Sequence, residues 1–113
     1  MRRVFGELLL PGNVPTTTAK LVLVEVRDTT LMDVASEVVA EQRIQNVTLV
    51  PNGRIRFDLE VPEVDPSQIL TLRAHVDIAG EGRVSSGDLL TVTLDEVPSR
   101  GDFGPVELSL GTI

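Results

Sequence analysis

The stretch Glu37–Ile78, EVVAEQRIQNVTLVPNGRIRFDLEVPEVDPSQILTLRAHVDI, decides the fold. Within it Arg54–Val61 alternates without a fault. Ile55, Phe57, Leu59 and Val61 share one face, and Arg54, Arg56, Asp58 and Glu60 share the other. A period of two marks a strand with one dry and one wet side. Leu70–Ile78 repeats the pattern, with Leu72, Ala74, Val76 and Ile78 expected inward and Arg73, His75 and Asp77 outward. Between them Asp65-Pro66-Ser67-Gln68 reads as one helical turn, with Asp65 as N-cap and Pro66 at the first position. Upstream, Val50-Pro51-Asn52-Gly53 is a turn signal, because Asn-Gly tolerates positive φ. Glu37–Gln45 alternates Val39, Glu41 and Arg43 against Val38, Ala40, Gln42 and Ile44. Its Ala, Glu, Gln and Arg also suit a helix, but nothing caps a helix at the far end, so it is read as a strand.

The same pattern continues outward in both directions. Arg3–Leu10 is a first strand, ended by Pro11–Pro15. Lys20–Asp28 follows, with Val22, Val24 and Val26 on one face and Leu21, Leu23, Glu25 and Arg27 on the other. Asp28–Asp33 reads as a polar break. Downstream, Gly80-Glu81-Gly82 forms a hairpin tip and Arg83–Ser86 returns from it. Leu90, Val92 and Leu94 mark another strand, and Val106, Leu108 and Leu110 a last one. Residues 1–113 therefore form a single domain: an all-β, antiparallel β-sandwich of about seven to eight short strands. A closed barrel is the alternative.

Composition sets the limits on function. At 113 residues and 42% hydrophobic content the chain buries a core without staples. With three Phe and no Trp or Tyr, that core is built from Val, Leu and Ile. The net charge of −7 and a single lysine, Lys20, argue against a nucleic-acid partner. The absence of cysteine excludes disulfides and zinc–thiolate sites. There is no run of about 18 apolar residues and hence no transmembrane helix. Arg2-Arg3 is followed only by a short run broken by Glu7 and Pro11, which is no signal peptide.

Each chemical motif reads better as ordinary structure. His75 is the only histidine, and the alternation puts it on a wet face. Asp58, Glu60, Glu63 and Asp65 cluster at one strand end. They suggest calcium ligands or a glycosidase pair, but alternating acids are the usual solvated face of a strand. Gly80-Glu81-Gly82 lacks the Gly-Lys-Ser/Thr of a phosphate loop. Asp102-Phe103-Gly104 matches a kinase triplet by chance, and Asn46-Val47-Thr48 is a glycosylation sequon of the sort that arises by chance. Ser85-Ser86-Gly87 is no nucleophile elbow. No nucleophile–base pair is visible, so the chain is read as not an enzyme, with no metal and no cofactor.

The order of short motifs carries a resemblance. A glycine-bearing first strand precedes a proline-rich loop and a valine-alternating strand that ends in Arg27-Asp28. Then come Val38–Ile44, Ile55-Arg56-Phe57-Asp58-Leu59, the Asp-Pro turn and Leu72-Arg73-Ala74-His75-Val76. From Val4 to Val92 this resembles the YbaY-type lipoprotein family, related to pilot lipoproteins of type III secretion. The resemblance implies a β-sandwich tethered to a bacterial envelope membrane by an N-terminal lipid. It also implies a role, in the pilot members, in localising or assembling an outer-membrane secretin ring. It supplies no catalytic or ligand residue. The chain has no lipobox cysteine, so such a tether requires a leader upstream of Met1. A native start at Met1 would instead predict a cytoplasmic protein.

Two functions are expected to compete. The first is a protein-binding domain that uses strand addition at a sheet edge or an apolar groove. Its candidate edges are Val4–Leu10 and Glu37–Ile44, with Phe5, Leu9 and Val39 as the partner contacts. The second is a small-ligand, calcium-linked or carbohydrate-binding module at Asp58–Asp65. Sugar platforms usually need exposed aromatic rings, and Trp and Tyr are absent here.

Overall fold

Alternation makes β4 (Arg54–Val61) the simplest element of the fold. Ile55, Phe57, Leu59 and Val61 are buried, and the residues between them are exposed, as a strand with one wet face requires. The computed structural model describes residues 1–31 and 34–113; Met32 and Asp33, at the end of the expected polar break, lie outside the described residues. The other strands are β1 (Arg2–Leu9), β2 (Thr17–Asp28), β3 (Glu37–Leu49), β5 (Leu70–Asp77), β6 (Leu89–Thr91), β7 (Asp95–Val97) and β8 (Phe103–Thr112). No helix occurs among the described residues. The competition between helix and strand at Glu37–Gln45 is therefore settled for strand, which runs on to Leu49.

The all-β class holds, but two details of the expected sandwich do not. The strands form one sheet in the order β3-β2-β5-β6-β8-β1-β4, with β7 also on β5. A single strand, β8, makes the connection. Its first part pairs with β1, and Leu110–Thr112 pair with β6. A strand shared in this way joins what would otherwise be two separate sheets. The sheet curls until its ends meet, and the Asp58 backbone N–H of β4 donates to Gln42 Oε1 of β3 at 2.8 Å. The architecture is a nearly closed barrel. It is also not wholly antiparallel, since β1 and β8 run parallel. They are the first and last strands, so the whole chain serves as the crossover a parallel pair needs.

The core is aliphatic, as the composition demands. Val22, Val24 and Val26 of β2 are fully buried, together with Leu8, Leu49, Leu72, Leu89 and Leu108. Arg2, itself buried, ties the start of β1 to two connections by donating to the carbonyls of Pro62, Pro98 and Gly101.

Three local expectations are corrected. β5 was expected to have a wet face, yet Thr71, His75 and Asp77 are buried. The strand is central, paired with β2 on one edge and with β6 and β7 on the other. At the His75–Asp77 end its outer face is roofed by the connection to β6, held down by Asp77 and Asp88. Next, Arg83–Ser86 belong to no strand, and the Leu90/Val92/Leu94 strand shrinks to Leu89–Thr91. The residue of β6 that faces the core is Leu89, so Leu90, Val92 and Leu94 fall on the outer face, with Val92 and Leu94 in solvent at 63% and 78% exposure. Finally, Asp65–Gln68 is a single turn and not a helical one. Gln68 N–H reaches Asp65 O at 2.9 Å, while the Asp65 side chain accepts Ser67 N–H at 2.9 Å in the expected capping role.

Candidate functional site

The most distinctive surface lies on the outer side of β2 and β5, where strand termini leave apolar residues uncovered. Leu31 and Val34 follow β2, Ile69 precedes β5, and Leu94 sits between β6 and β7. All four are exposed, and together they line a cavity of about 470 Å³. A second cavity of about 580 Å³ continues from it, sharing Thr29, Ser36, Thr71 and Leu94, so the two form one groove. Isolated exposed aliphatics are ordinary, but a contiguous patch around a concavity marks an interaction site.

The rim of the groove is built from hydrogen bonds. Thr29 N–H donates to Ile69 O at 2.8 Å, and Ile69 N–H donates to Thr30 Oγ1 at 2.9 Å, which joins the end of β2 to the start of β5. Asp28 accepts Thr30 N–H at 2.9 Å and Gln68 Nε2 at 2.8 Å. The bonds from Thr30, and after them the bond from Gln68, hold the Asp28 carboxyl below the usual carboxylate range. On the other wall Arg27 donates from Nε to Ser36 Oγ at 2.7 Å and from Nη2 to Ser36 O at 3.1 Å. The apolar residues are thus carried on a fixed frame.

The floor is charged. Glu25 is buried and accepts two arginines: Arg27 Nη1 at 3.0 and 2.9 Å, and Arg73 Nη1 at 3.1 Å. Arg27 and Arg73 both line the larger cavity.

His75, Asp77 and Asp88 form a second cluster, the one place among the described residues where three potential metal ligands gather within 4.8 Å. The expectation of an exposed His75 fails here: the ring is buried, with Nε2 2.8 Å from Asp88 Oδ2. The carboxylates are already engaged by backbone donors. Asp77 accepts the N–H groups of Gly80, Glu81 and Gly82, and Asp88 accepts those of Ile78 and Ser85. Converging N–H dipoles neutralise the acids and fix the 78–88 connection, so the cluster is a structural hub.

The expected site residues are scattered. Phe5 is half-buried on β1 with the Arg3 guanidinium 4.6 Å above its ring. It borders a shallow depression of about 450 Å³ shared with Gln42 of β3. Leu9 lies at the far end of β1. Because β1 is paired with β4 and β8, Val4–Leu10 is not a sheet edge, while Glu37–Ile44 on terminal β3 is one. Val39 on that edge packs partly against the core. The acids do not converge. Asp58 pairs with Arg3 at 2.6 Å, Glu63 with Arg100 at 3.3 Å, Asp65 caps its turn, and Glu60 is exposed on β4. Sequence reasoning missed the groove. Leu31 sits inside a polar break and Val34 flanks it, and Leu94 continues the alternation of a strand face. The available signal was four aliphatics, Leu31, Val34, Ile69 and Leu94, each beside polar or turn-forming residues.

Over its whole length the fold resembles a solved structure, "Structure of an alternative pilotin from the type II secretion system of Vibrio cholerae". The TM-score is 0.67 at 20% identity, covering 97% of this chain and 96% of that one. No curated protein sequence matches. A family profile described as "Type III secretion system lipoprotein chaperone (YscW)" matches residues 1–102. This is the pilot-lipoprotein side of the resemblance read from the sequence, and it spans nearly the entire domain. The chain belongs to the type III secretion system lipoprotein chaperone (YscW) family.

Proposed function

We propose that this domain is a non-enzymatic chaperone of a bacterial secretion system that seats an apolar segment of a secretin in the groove beside β2 and β5. The observation that carries the reading is the contiguous set of exposed Leu31, Val34, Ile69 and Leu94 around a concave surface on a hydrogen-bonded frame. Membership of a type III secretion chaperone family supports a protein partner from a secretion system. A segment with apolar residues on one face would bury them there by the hydrophobic effect, and the frame would spare the domain an ordering cost on binding. An envelope location follows from the same reading, and mass measurement and membrane fractionation of the native protein test it.

Leu94→Asp and Val34→Asp are expected to reduce secretin binding at least tenfold each, since each removes an apolar contact and buries a charge on binding. Both residues are exposed in the free domain, so unfolding free energy should stay within about 0.5 kcal/mol of wild type. Calorimetric titration with the secretin's periplasmic region and urea unfolding of the same variants check this. If both variants bind normally, the groove is not the site. Docking then passes to terminal strand β3, which carries Val39, and to the adjoining Phe5 depression that Gln42 borders.

A further inference from the structure

We infer that the groove selects a partner segment carrying an acidic side chain beside its apolar anchors, held by Arg73. This rests on the groove reading above and adds the chemistry of the occupant. The chain carries a net charge of −7, yet two arginines, Arg27 and Arg73, line one half of the groove, while Glu96 lines the apolar half. Arg27 and Arg73 share one buried carboxylate, Glu25, so positive charge is concentrated at their end of the groove, away from Glu96.

The two arginines differ in what remains available. Arg27 is occupied, with Nη1 on Glu25 and Nε and Nη2 on Ser36. Arg73 gives only Nη1 to Glu25, and its Nε and Nη2 have no hydrogen-bond partner among the described residues. Its side chain is 36% exposed and lines the larger cavity beside Thr91 and Thr93. A planar guanidinium with free donors, partly shielded from water, suits a carboxylate, and charge-assisted bonds there exceed neutral ones.

Spacing fixes where the acid must sit. Thr71, which floors the apolar half, and Arg73 are two residues apart on β5, roughly 7 Å along the strand. An acidic residue about two positions from the apolar anchor in an extended segment, or about four in a helix, spans that distance. Complementary charge of this kind sets orientation and discriminates among apolar segments that the hydrophobic contacts alone would not separate.

The probe is a set of synthetic peptides tiled across the secretin of the same organism, titrated against the intact domain at low and high salt. The tightest peptide is remade with its acidic residue as the amide, and separately with an amidated C-terminus. Replacing the acid, or introducing Arg73→Met, is expected to weaken binding about tenfold. Combining the two changes should add little more, and the salt dependence should be lost with either one. Arg73→Lys should recover part of the affinity. The peptide substitution leaves the protein untouched, so the test survives any loss of stability in the Arg73 variants. Unchanged affinity for the neutral peptide overturns the inference while leaving the groove reading intact. Loss on terminal amidation alone overturns it in favour of a chain-terminal carboxylate. If no peptide binds, the groove reading falls and the inference falls with it.

Discussion

Gly6→Ala is expected to destabilise the domain severely. A Cβ at Gly6 would lie 1.9 Å from Val106 O and 2.5 Å from Val106 N, far inside contact distance. Both are backbone atoms of β8, the strand to which β1 is hydrogen-bonded, so no side-chain rotation relieves the clash. The register between β1 and β8 shifts between Val4 and Gly6, and the close approach occurs at that irregularity. Gly104 meets the same place from the other strand. Its φ is +151°, and a Cβ there would lie 2.4 Å from Phe5 O. Relief would require separating the one parallel pair in the sheet, and β8 is also what joins β1 to β6. The cost should exceed about 4 kcal/mol, against a total stability on the order of 5–15 kcal/mol for a domain of this kind. Gly12→Ala is the control. Its Cβ would sit 3.3 Å from the Asn52 side chain, which can move, and the cost should stay near 1 kcal/mol. Urea unfolding followed by far-ultraviolet circular dichroism separates the cases. A Gly6→Ala protein melting within a few degrees of wild type would show that β1 and β8 do not approach as closely as described.

The same pair of strands shows where sequence reading stops. β4 was legible in full, because one face meets the core and the other meets water, and alternation reports that difference directly. β2 was legible on its valine face for the same reason. β5 was legible as a strand but not in its burial. Periodicity sees only the polarity of a residue, and Asp77, His75 and Asp88 are polar residues satisfied by one another and by backbone donors. Which strands pair is a long-range property. Nothing in Val4–Leu9 or Val106–Leu110 encodes a parallel partnership across the length of the chain, and so a sandwich was the natural expectation. The groove was hidden by a related ambiguity. Val92 and Leu94 alternate with threonines just as core residues would, but Leu89 is the residue of β6 that faces the core, and that phase puts Leu90, Val92 and Leu94 on the outer face. Surface apolar residues at a binding site and core apolar residues look the same in one dimension.

Asp88→Ala is expected to cost about 3 kcal/mol at neutral pH and to flatten the acid limb of the stability curve. The buried carboxylate accepts Ser85 N–H at 3.0 Å and Ile78 N–H at 3.2 Å and lies 2.8 Å from His75 Nε2. Truncation leaves buried His75 and the part-buried N–H groups of Ile78 and Ser85 without their acceptor, and each such loss costs on the order of 1 kcal/mol. Burial, the largest influence, pushes the Asp88 carboxyl up, but the bonds from His75, Ser85 and Ile78 together outweigh it and hold it below the ordinary value of 3.8. A folded-state pKa below the unfolded one binds fewer protons in the native protein. The stabilisation is therefore fully present above about pH 4 and drains away as the pH falls through the folded pKa. Removing the group should thus cost most at pH 7 and progressively less below pH 4, where the wild type has already lost the contribution. The measurement is urea unfolding of wild type and Asp88→Ala from pH 7 down to pH 3. Converging curves at low pH are the expected result. Parallel curves would mean that Asp88 acts through packing and not through its charge, and a variant as stable as wild type at pH 7 would remove the His75–Asp77–Asp88 hub from the account of the fold.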